Sequence, residues 1–503
     1  MTQRKVLLVI RDGYGERQET IDNAEKLART PCNDRLLSTH PHCLLRTSGE
    51  DVGLPKGYMG GSEVGHITIG AGRIVWQNLE LINRTIRDNS FFDNQAFCSL
   101  LDQAKQEGVN VHILGLLQDK GVHAHQEHLF ALLQLCKLRD VPAEKVFIHI
   151  FSDGRDSPPR SLREYVEALT AAIERTGIGV IKTLVGRYFS MDRDTRWDRT
   201  ERAYNLLVSA QGQRHPDVWD AVSSAYAAGE DDEFITPRVI GEYEGMRDDD
   251  VVLCYNYRTD RMRQLCKALL GEEVGLSPAP QPSLRLGVMT NYYHDINASV
   301  AFGGGVPKNT LGEVVSAHGL SQLRISETEK YPHVTFFFSG QREEPFPHEE
   351  RVLIPSPRDV ATYDEKPEMS IYEITDALEQ ELAKKHHSLI VVNFVNGDMV
   401  GHTGKLDAAI AACEAVDMCL ERAVATASAN DYDVLVIADH GNCEEMSGEH
   451  QTSHTLNDVD CILVSERFPS VAMRYGGLQD VAPTVLKLLE LEQPKEMIGT
   501  SLF

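Results

Sequence analysis

Short apolar runs separated by helical patterns recur along this chain, and that alternation restricts its fold more than any other feature. Val6 to Ile10, Cys43 to Arg46, Val111 to Leu117, Val146 to Phe151, Val180 to Val185, Val251 to Tyr255 and Leu286 to Thr290 read as strands. After the glycine-rich break Gly303-Gly304-Gly305-Val306-Pro307, so do Val334 to Phe338, Leu389 to Phe394, Val434 to Ile437 and Ile462 to Val464. Residues 20–39 read as helix and turn. Between 161 and 175, Leu162, Val166, Leu169 and Ile173 share one helical face behind Ser161-Leu162-Arg163-Glu164, the pattern of a capping box. Asp480 is placed to cap a last helix, with Pro483 in its first turn and Val485, Leu488 and Leu489 on its buried side. The expectation is an α/β protein, and 503 residues suffice for two or more cores.

Charge narrows the partners. The net charge of −25 opposes binding to nucleic acid or to an anionic membrane. No apolar run approaches the roughly 18 residues that span a bilayer. Met1 to Lys5 lead into a short apolar run that Arg11-Asp12 ends at once, which reads as a first strand and not a signal peptide. The ten cysteines are scattered, without a CxxC pair, and read as reduced, buried thiols of a cytoplasmic protein. The acidic runs Glu230-Asp231-Asp232-Glu233 and Asp248-Asp249-Asp250 read as solvated loops.

Against that acidic background, two constellations stand out. The first centres on Met59-Gly60-Gly61-Ser62-Glu63-Val64-Gly65-His66, where a serine opens a helical run behind two glycines. Such a helix start suits an oxyanion, and a metal or a base can activate the hydroxyl. Candidate ligands follow strand ends elsewhere: Asp12, Asp398 with His402, Asp439 with His440, and His454. Each cluster alone reads equally well as a turn or a surface pair; together they form a mixed oxygen and nitrogen donor set. That set suits Mn²⁺, with Zn²⁺, Mg²⁺ and Co²⁺ as competitors. The second constellation is Arg155, Arg187, Arg193, Arg258 and Arg261, interleaved with Asp156, Asp192 and Asp260 and accompanied by His123. These guanidinium groups suit a carboxylate or phosphate; the alternative is surface pairing worth about 0–1 kcal/mol each. Lys330, between Glu329 and Tyr331, is a candidate proton or charge donor.

Taken in order, these segments resemble the cofactor-independent (2,3-bisphosphoglycerate-independent) phosphoglycerate mutases of the alkaline phosphatase superfamily. The resemblance is carried by Asp12-Gly13, Gly53-Leu54-Pro55 through Ser62 to Gly72-Arg73, Gly121-Val122-His123, Asp153-Gly154-Arg155-Asp156, Gly186-Arg187 with Met191 to Asp194, Arg196 to Arg199, Asp398 to His402, and Ala438 to Asn442. It implies a discontinuous alkaline-phosphatase-like domain, residues 1–78 and 308–503, with an inserted α/β phosphotransferase domain at 79–307. Hinges are then expected near 76–80 and 303–308, so that closure can exclude water. It implies an isomerase of glycolysis and gluconeogenesis, a monomer, that interconverts 3- and 2-phosphoglycerate through a phosphoserine, using two divalent metals and no 2,3-bisphosphoglycerate.

Under the resemblance, Ser62 is the nucleophile and one metal takes Asp12, Ser62, Asp439 and His440. The other takes Asp398, His402 and His454. Substrate falls to His123, Arg155, Asp156, Arg187, Arg193, Arg258, Arg261 and Lys330, with Lys330 assisting transfer and Asp156 a candidate base. The sequence departs from the family's usual residues at Gly61 (Asn), Lys120 (Gly), Ala124 (Ser), Thr259 (Pro), Gly397 (Pro) and in Asn457-Asp458-Val459-Asp460 (Asn-Pro-Val-Pro). Those departures keep two relatives of the same chemistry in view: a metal-dependent phosphohydrolase, and a mutase for another phosphorylated hydroxyacid.

Overall fold

A computed structural model describes residues 4–272, 280–448 and 451–503, so Met1, Thr2 and Gln3 of the N-terminal stretch lie outside the described residues. The chain divides into two compact units, residues 1–77 with 306–503 and residues 78–305. Each is α/β, built on its own eight-stranded sheet.

In the first unit the strands run, edge to edge, Glu349–Ile354, Gln322–Glu327, Leu389–Phe394, Val6–Arg11, Asp433–Ile437, Val459–Val464, His42–Arg46 and Gly476–Gly477. The first five are mutually parallel; Val459–Val464 reverses direction. Central parallel strands are covered on both faces and so need apolar residues at every position. Val6 to Ile10 and Leu389 to Val392 are accordingly all inaccessible to solvent. Parallel register also brings the C-terminal ends of neighbouring strands together, which is where open α/β sheets carry their sites.

The second unit orders its strands Ser299–Val300, Arg285–Val288, Val251–Cys254, Val111–Leu116, Val146–Ser152, Val180–Gly186, Arg238–Ile240 and Gln213–His215. All pairings but that of Val180–Gly186 with Arg238–Ile240 are parallel. His123, Asp153 to Asp156, Arg187 and Asn256 to Arg261 all follow the C-terminal ends of these strands. The ten cysteines are buried and unbonded.

Four local expectations are overturned by long-range packing. Val334 to Phe338 is not a strand: His333–Phe337 forms a single π-helical turn, with the Phe338 N–H donating to His333 O at 3.0 Å. Its aromatic residues pack against the helix Ser62–Ala71, and packing outweighs their strand propensity. The sheet position goes to Gln322–Glu327, which polar residues disguise in the sequence. Arg324 there is fully buried, donating to Gln322 Oε1 at 2.6 Å and lying over the Phe338 ring.

The acidic runs are not wholly solvated. Asp250 is buried and accepts from His112 Nε2 at 3.0 Å, and Glu230 pairs with buried Arg238 at 2.8 Å. Ser161 makes no side-chain cap for the helix Leu162–Thr176. Buried Asp232, 71 residues further on, accepts the Ser161 and Leu162 N–H groups at 2.9 Å each. Asp480 likewise starts the helix Val481–Leu489 without capping it, its carboxylate taken by Gly477 and Thr500 N–H groups.

A cap supplied from so far away can be tested. Asp232→Ala strands two helix N–H groups and the Tyr226 hydroxyl, and is expected to cost about 2–3 kcal/mol in urea unfolding. Ser161→Ala is expected to cost under about 1 kcal/mol. A larger loss for Ser161→Ala would return the cap to the serine.

Candidate active site

Ser62 opens the helix Ser62–Ala71 in the first unit, with Gly61 in extended conformation before it. Three groups converge on its hydroxyl: Asp12 Oδ1 at 3.1 Å, His440 Nε2 at 2.9 Å and Lys330 Nζ at 2.5 Å. The four residues come from a helix start and the ends of three strands of one sheet. Asp12 follows Val6–Arg11, His440 follows Asp433–Ile437 and Lys330 follows Gln322–Glu327. Lys330 is buried and also contacts Asp12 Oδ1 at 2.8 Å and Asp398 Oδ2 at 2.6 Å. A cavity of about 420 Å³, lined by Gly60, Gly61, Ser62, Lys330, Asp398, His402 and His454, opens over the serine. A larger one, about 620 Å³, lies at the opposite ends of the strands beside Lys5 and Asp433 and contains none of these residues.

The ligand candidates separate into two triads, Asp398 with His402 and His454, and Asp12 with Asp439 and His440. In the first, Asp398 Oδ1 lies 3.1 Å from His402 Nε2 and 3.2 Å from His454 Nε2, and the two Nε2 atoms are 3.2 Å apart. The Nδ1 atoms of both rings meet backbone carbonyls, Thr452 O and Gly60 O, at 2.8 Å. An Nδ1–H donated to a carbonyl leaves the Nε2 lone pair as ligand. Two imidazole nitrogens and a carboxylate oxygen facing one another at such distances suit a cation between them. In the second triad buried Asp439 Oδ2 makes no hydrogen bond, with His66 Nδ1 3.2 Å and His440 Nε2 3.5 Å away, which suits a cation again. The residues present therefore fit divalent metals.

Charge follows from this crowding. Burial alone would raise the Asp12 and Asp398 carboxyls, but the Lys330 ammonium and then the imidazoles hold both well below the usual carboxylate range. Burial opposes the charge on Lys330, yet Asp12 and Asp398 hold it above an ordinary lysine. Burial likewise opposes charge on His440, and Asp439 leads the carboxylates that lift it to about 9.

In the second unit the arginines gather as a cluster. Buried Arg187 donates to Asp153 Oδ1 and Asp156 Oδ2, both at 2.5 Å. Arg193 and Arg258 reach Asp260 at 2.7 and 3.3 Å. Arg261 donates to Met191 O, and Arg155 lies 3.8 Å from Glu233. Burial lowers Arg261, and the charges of Arg187, Arg193 and Arg155 lower it further. Burial, then Arg187, lowers His123 to about 4, and its Nε2 lies 3.9 Å from Asp156. Mutually repelling guanidinium groups in an acidic protein are an anion-binding arrangement.

Comparison with known proteins gives the same direction. Residues 82–294 match the family model described as BPG-independent PGAM N-terminus. The chain is 48% identical to a 2,3-bisphosphoglycerate-independent phosphoglycerate mutase of Moorella thermoacetica, covering 99% of this chain and 98% of that protein. It is 46% identical to the enzyme of that name from Pseudomonas syringae pv. syringae, over 100% and 99%. The chain belongs to the 2,3-bisphosphoglycerate-independent phosphoglycerate mutase family. It is thus an isomerase by membership. Among solved structures it resembles Leishmania mexicana phosphoglycerate mutase at low cobalt concentration, with 28% identity, a TM-score of 0.60, and 100% and 98% of the two chains covered. Among the described residues no helix is long and apolar enough to cross a membrane.

Two departures from the family's usual residues have structural reasons. A Cβ on Gly397 would lie 2.5 Å from the Tyr14 ring and 2.6 Å from Asp12 O, leaving no room for the usual proline. A Cβ on Gly61 would press on the His454 ring at 3.1 Å. The sequence also left three contributors without a role. Asn393 Nδ2 donates to Asp12 Oδ2 at 2.7 Å and lies 3.0 Å from His66 Nε2, and His66 Nδ1 meets Ser62 O at 2.9 Å. Asn442 Nδ2 donates to Asp398 Oδ1 at 3.0 Å. The i, i+4 spacing of Ser62 and His66 was a readable signal; Asn393, inside an apolar strand, offered only its polarity.

Lys330 hangs from a turn whose first carbonyl, on buried Glu327, accepts the Lys330 N–H at 3.1 Å. Burial pushes the Glu327 carboxyl from 4.5 up to about 7. Neutral Glu327 therefore favours the fold: its contribution is whole below pH 4.5 and is lost as pH rises through about 7. Glu327→Gln is expected to remove a loss of up to about 3 kcal/mol over that window, at 1.36 kcal/mol per pH unit. Urea unfolding of both proteins at about pH 5 and about pH 8 checks this, and equal slopes would discard it.

Proposed function

We propose that the chain interconverts 3-phosphoglycerate and 2-phosphoglycerate through a phosphoserine at Ser62, with two divalent ions bound, Mn²⁺ first among them. The observation carrying this reading is the convergence of Asp12, His440 and Lys330 on one serine hydroxyl at a helix start. Asp12, Ser62, Asp439 and His440 would hold one ion, and Asp398, His402 and His454 the other. When bound, the ions lower the pKa of the hydroxyl and draw charge from the transferring oxygens.

The remaining chemistry belongs to the side chains. The arginine cluster suits the carboxylate of a phosphoglycerate, and the Ser62 cluster suits a phosphoryl group. Ser62 Oγ attacks phosphorus, the bond to the substrate oxygen breaks, and Lys330 donates hydrogen bonds to the charge that develops. Glycerate stays bound through Arg155, Arg187, Arg193, Arg258 and Arg261. Its other hydroxyl then takes the phosphoryl group back, with Asp156 as the base beside His123. Water must be excluded while the serine is phosphorylated, or the intermediate would hydrolyse. Because the chain's own serine carries the group, no bisphosphoglycerate is required.

Purified protein with Mn²⁺ and without 2,3-bisphosphoglycerate is expected to convert 3- to 2-phosphoglycerate without releasing phosphate. Ser62→Ala should lower turnover by at least about a thousandfold with the fold intact. Phosphate release without isomerisation would make the chain a phosphohydrolase, and retained turnover in Ser62→Ala would remove the serine as nucleophile.

A further inference from the structure

We propose a second kind of metal site in the first unit, formed by Glu350, His386 and His387 with Glu381, that takes a Zn²⁺-class ion. It lies at the opposite end of the sheet from Ser62. Glu350 stands near the start of the edge strand Glu349–Ile354, and His386 and His387 form the turn between the helix Ile371–Lys384 and the strand Leu389–Phe394. Asp398 follows the other end of Leu389–Phe394. The intervening six residues separate the two places by roughly 20 Å. No residue is shared.

Local structure builds the arrangement. Lys385 ends the helix in a left-handed conformation, φ 54°, which turns the next two imidazoles toward the edge strand. His387 is 1% exposed. Its Nδ1 meets the Ser321 hydroxyl at 2.8 Å, and its carbonyl accepts from the Tyr432 hydroxyl at 2.9 Å. In the tautomer whose Nδ1–H donates to the Ser321 hydroxyl, the Nε2 lone pair is held in place by a buried ring. The Glu350 carboxylate stands between the two rings. Its Oε1 is 3.9 Å from His386 Nε2, and its Oε2 is 4.0 Å from His387 Nε2. Glu381 Oε2 lies 3.5 Å from the same His387 nitrogen, while its Oε1 pairs with Lys384 at 2.7 Å.

The spacings decide the chemistry. Hydrogen bonds between such groups measure about 2.7–3.2 Å. Two ligands of one tetrahedral Zn²⁺, each about 2.0–2.1 Å from it, stand about 3.3–3.5 Å apart. The 3.5 Å separation from Glu381 matches the span of two ligands about one ion, and the 3.9 and 4.0 Å separations from Glu350, too long for hydrogen bonds, would close by about 0.5 Å around one. The Glu350, His386 and His387 ligand atoms all lie within 4.8 Å of one another. Two imidazole nitrogens and the Glu350 carboxylate, with Glu381 beside His387 and paired to Lys384, select a borderline transition ion over Mg²⁺ or Ca²⁺. The bound ion would tie the edge strand to the helix–strand turn.

The test uses the full chain, loaded with Mn²⁺, equilibrated with Zn²⁺ and analysed for zinc per chain. Glu350→Gln and His386→Ala change exposed side chains and should fold and turn over as the parent does. Each is expected to bind one equivalent of zinc fewer than the parent and to lose the rise in unfolding temperature that zinc confers. His402→Ala, altered at the other end of the sheet, should keep that equivalent. Equal zinc content in the parent, Glu350→Gln and His386→Ala, or loss of the equivalent in His402→Ala alone, would overturn the proposal.

Discussion

Three carboxylates buried at adjacent strand ends repel one another, and the functional half of the first unit is arranged around that repulsion. Asp12, Asp398 and Asp439 are almost inaccessible to water, so nearby cations must offset them. The Lys330 ammonium between Asp12 and Asp398 supplies part of this charge, and His440 a further part. The rest of the geometry suits metal ions: His402 and His454 turn ring nitrogens toward each other, and Asp439 keeps an oxygen that makes no hydrogen bond. The same positive charge that makes the carboxylates tolerable would lower the pKa of a serine hydroxyl among them. Stability and chemistry share one electrostatic solution here.

The parallel sheet makes this solution possible. A carboxylate placed just after one parallel strand lies beside whatever follows the next. Residues 12, 330, 398 and 440 meet although hundreds of positions separate the first from the rest. Asn393 and His66 then brace the centre from behind, joining Asp12 to the backbone of Ser62. The second unit repeats the principle with opposite charge, gathering arginines after its own strands. There the cost of like charges is offset by Asp153, Asp156 and Asp260.

Much of this was legible in the sequence because its signals are local. Apolar runs mark the central strands, and short motifs at their ends mark Asp12, Ser62, Asp398, His402, Asp439, His440 and His454. What escaped reading had its cause elsewhere in the chain. Gln322–Glu327 is a buried strand containing an arginine and a glutamate, so no apolar run announces it. Val334 to Phe338 has strand composition but packs as a helical turn. The helix at Leu162 takes its cap from Asp232 and not from Ser161.

The sequence alone therefore determined the α/β class and the central strands and singled out the candidate nucleophile and metal ligands, because side-chain chemistry and hydrophobic period act over a few residues. Only the tertiary structure decided which strands are neighbours, that Lys330 touches Ser62, that Asn393 and His66 support it, and that Gly397 has no room for a side chain. Those facts depend on free energies of packing and charge between segments far apart in the chain, and such terms are absent from any short window of sequence.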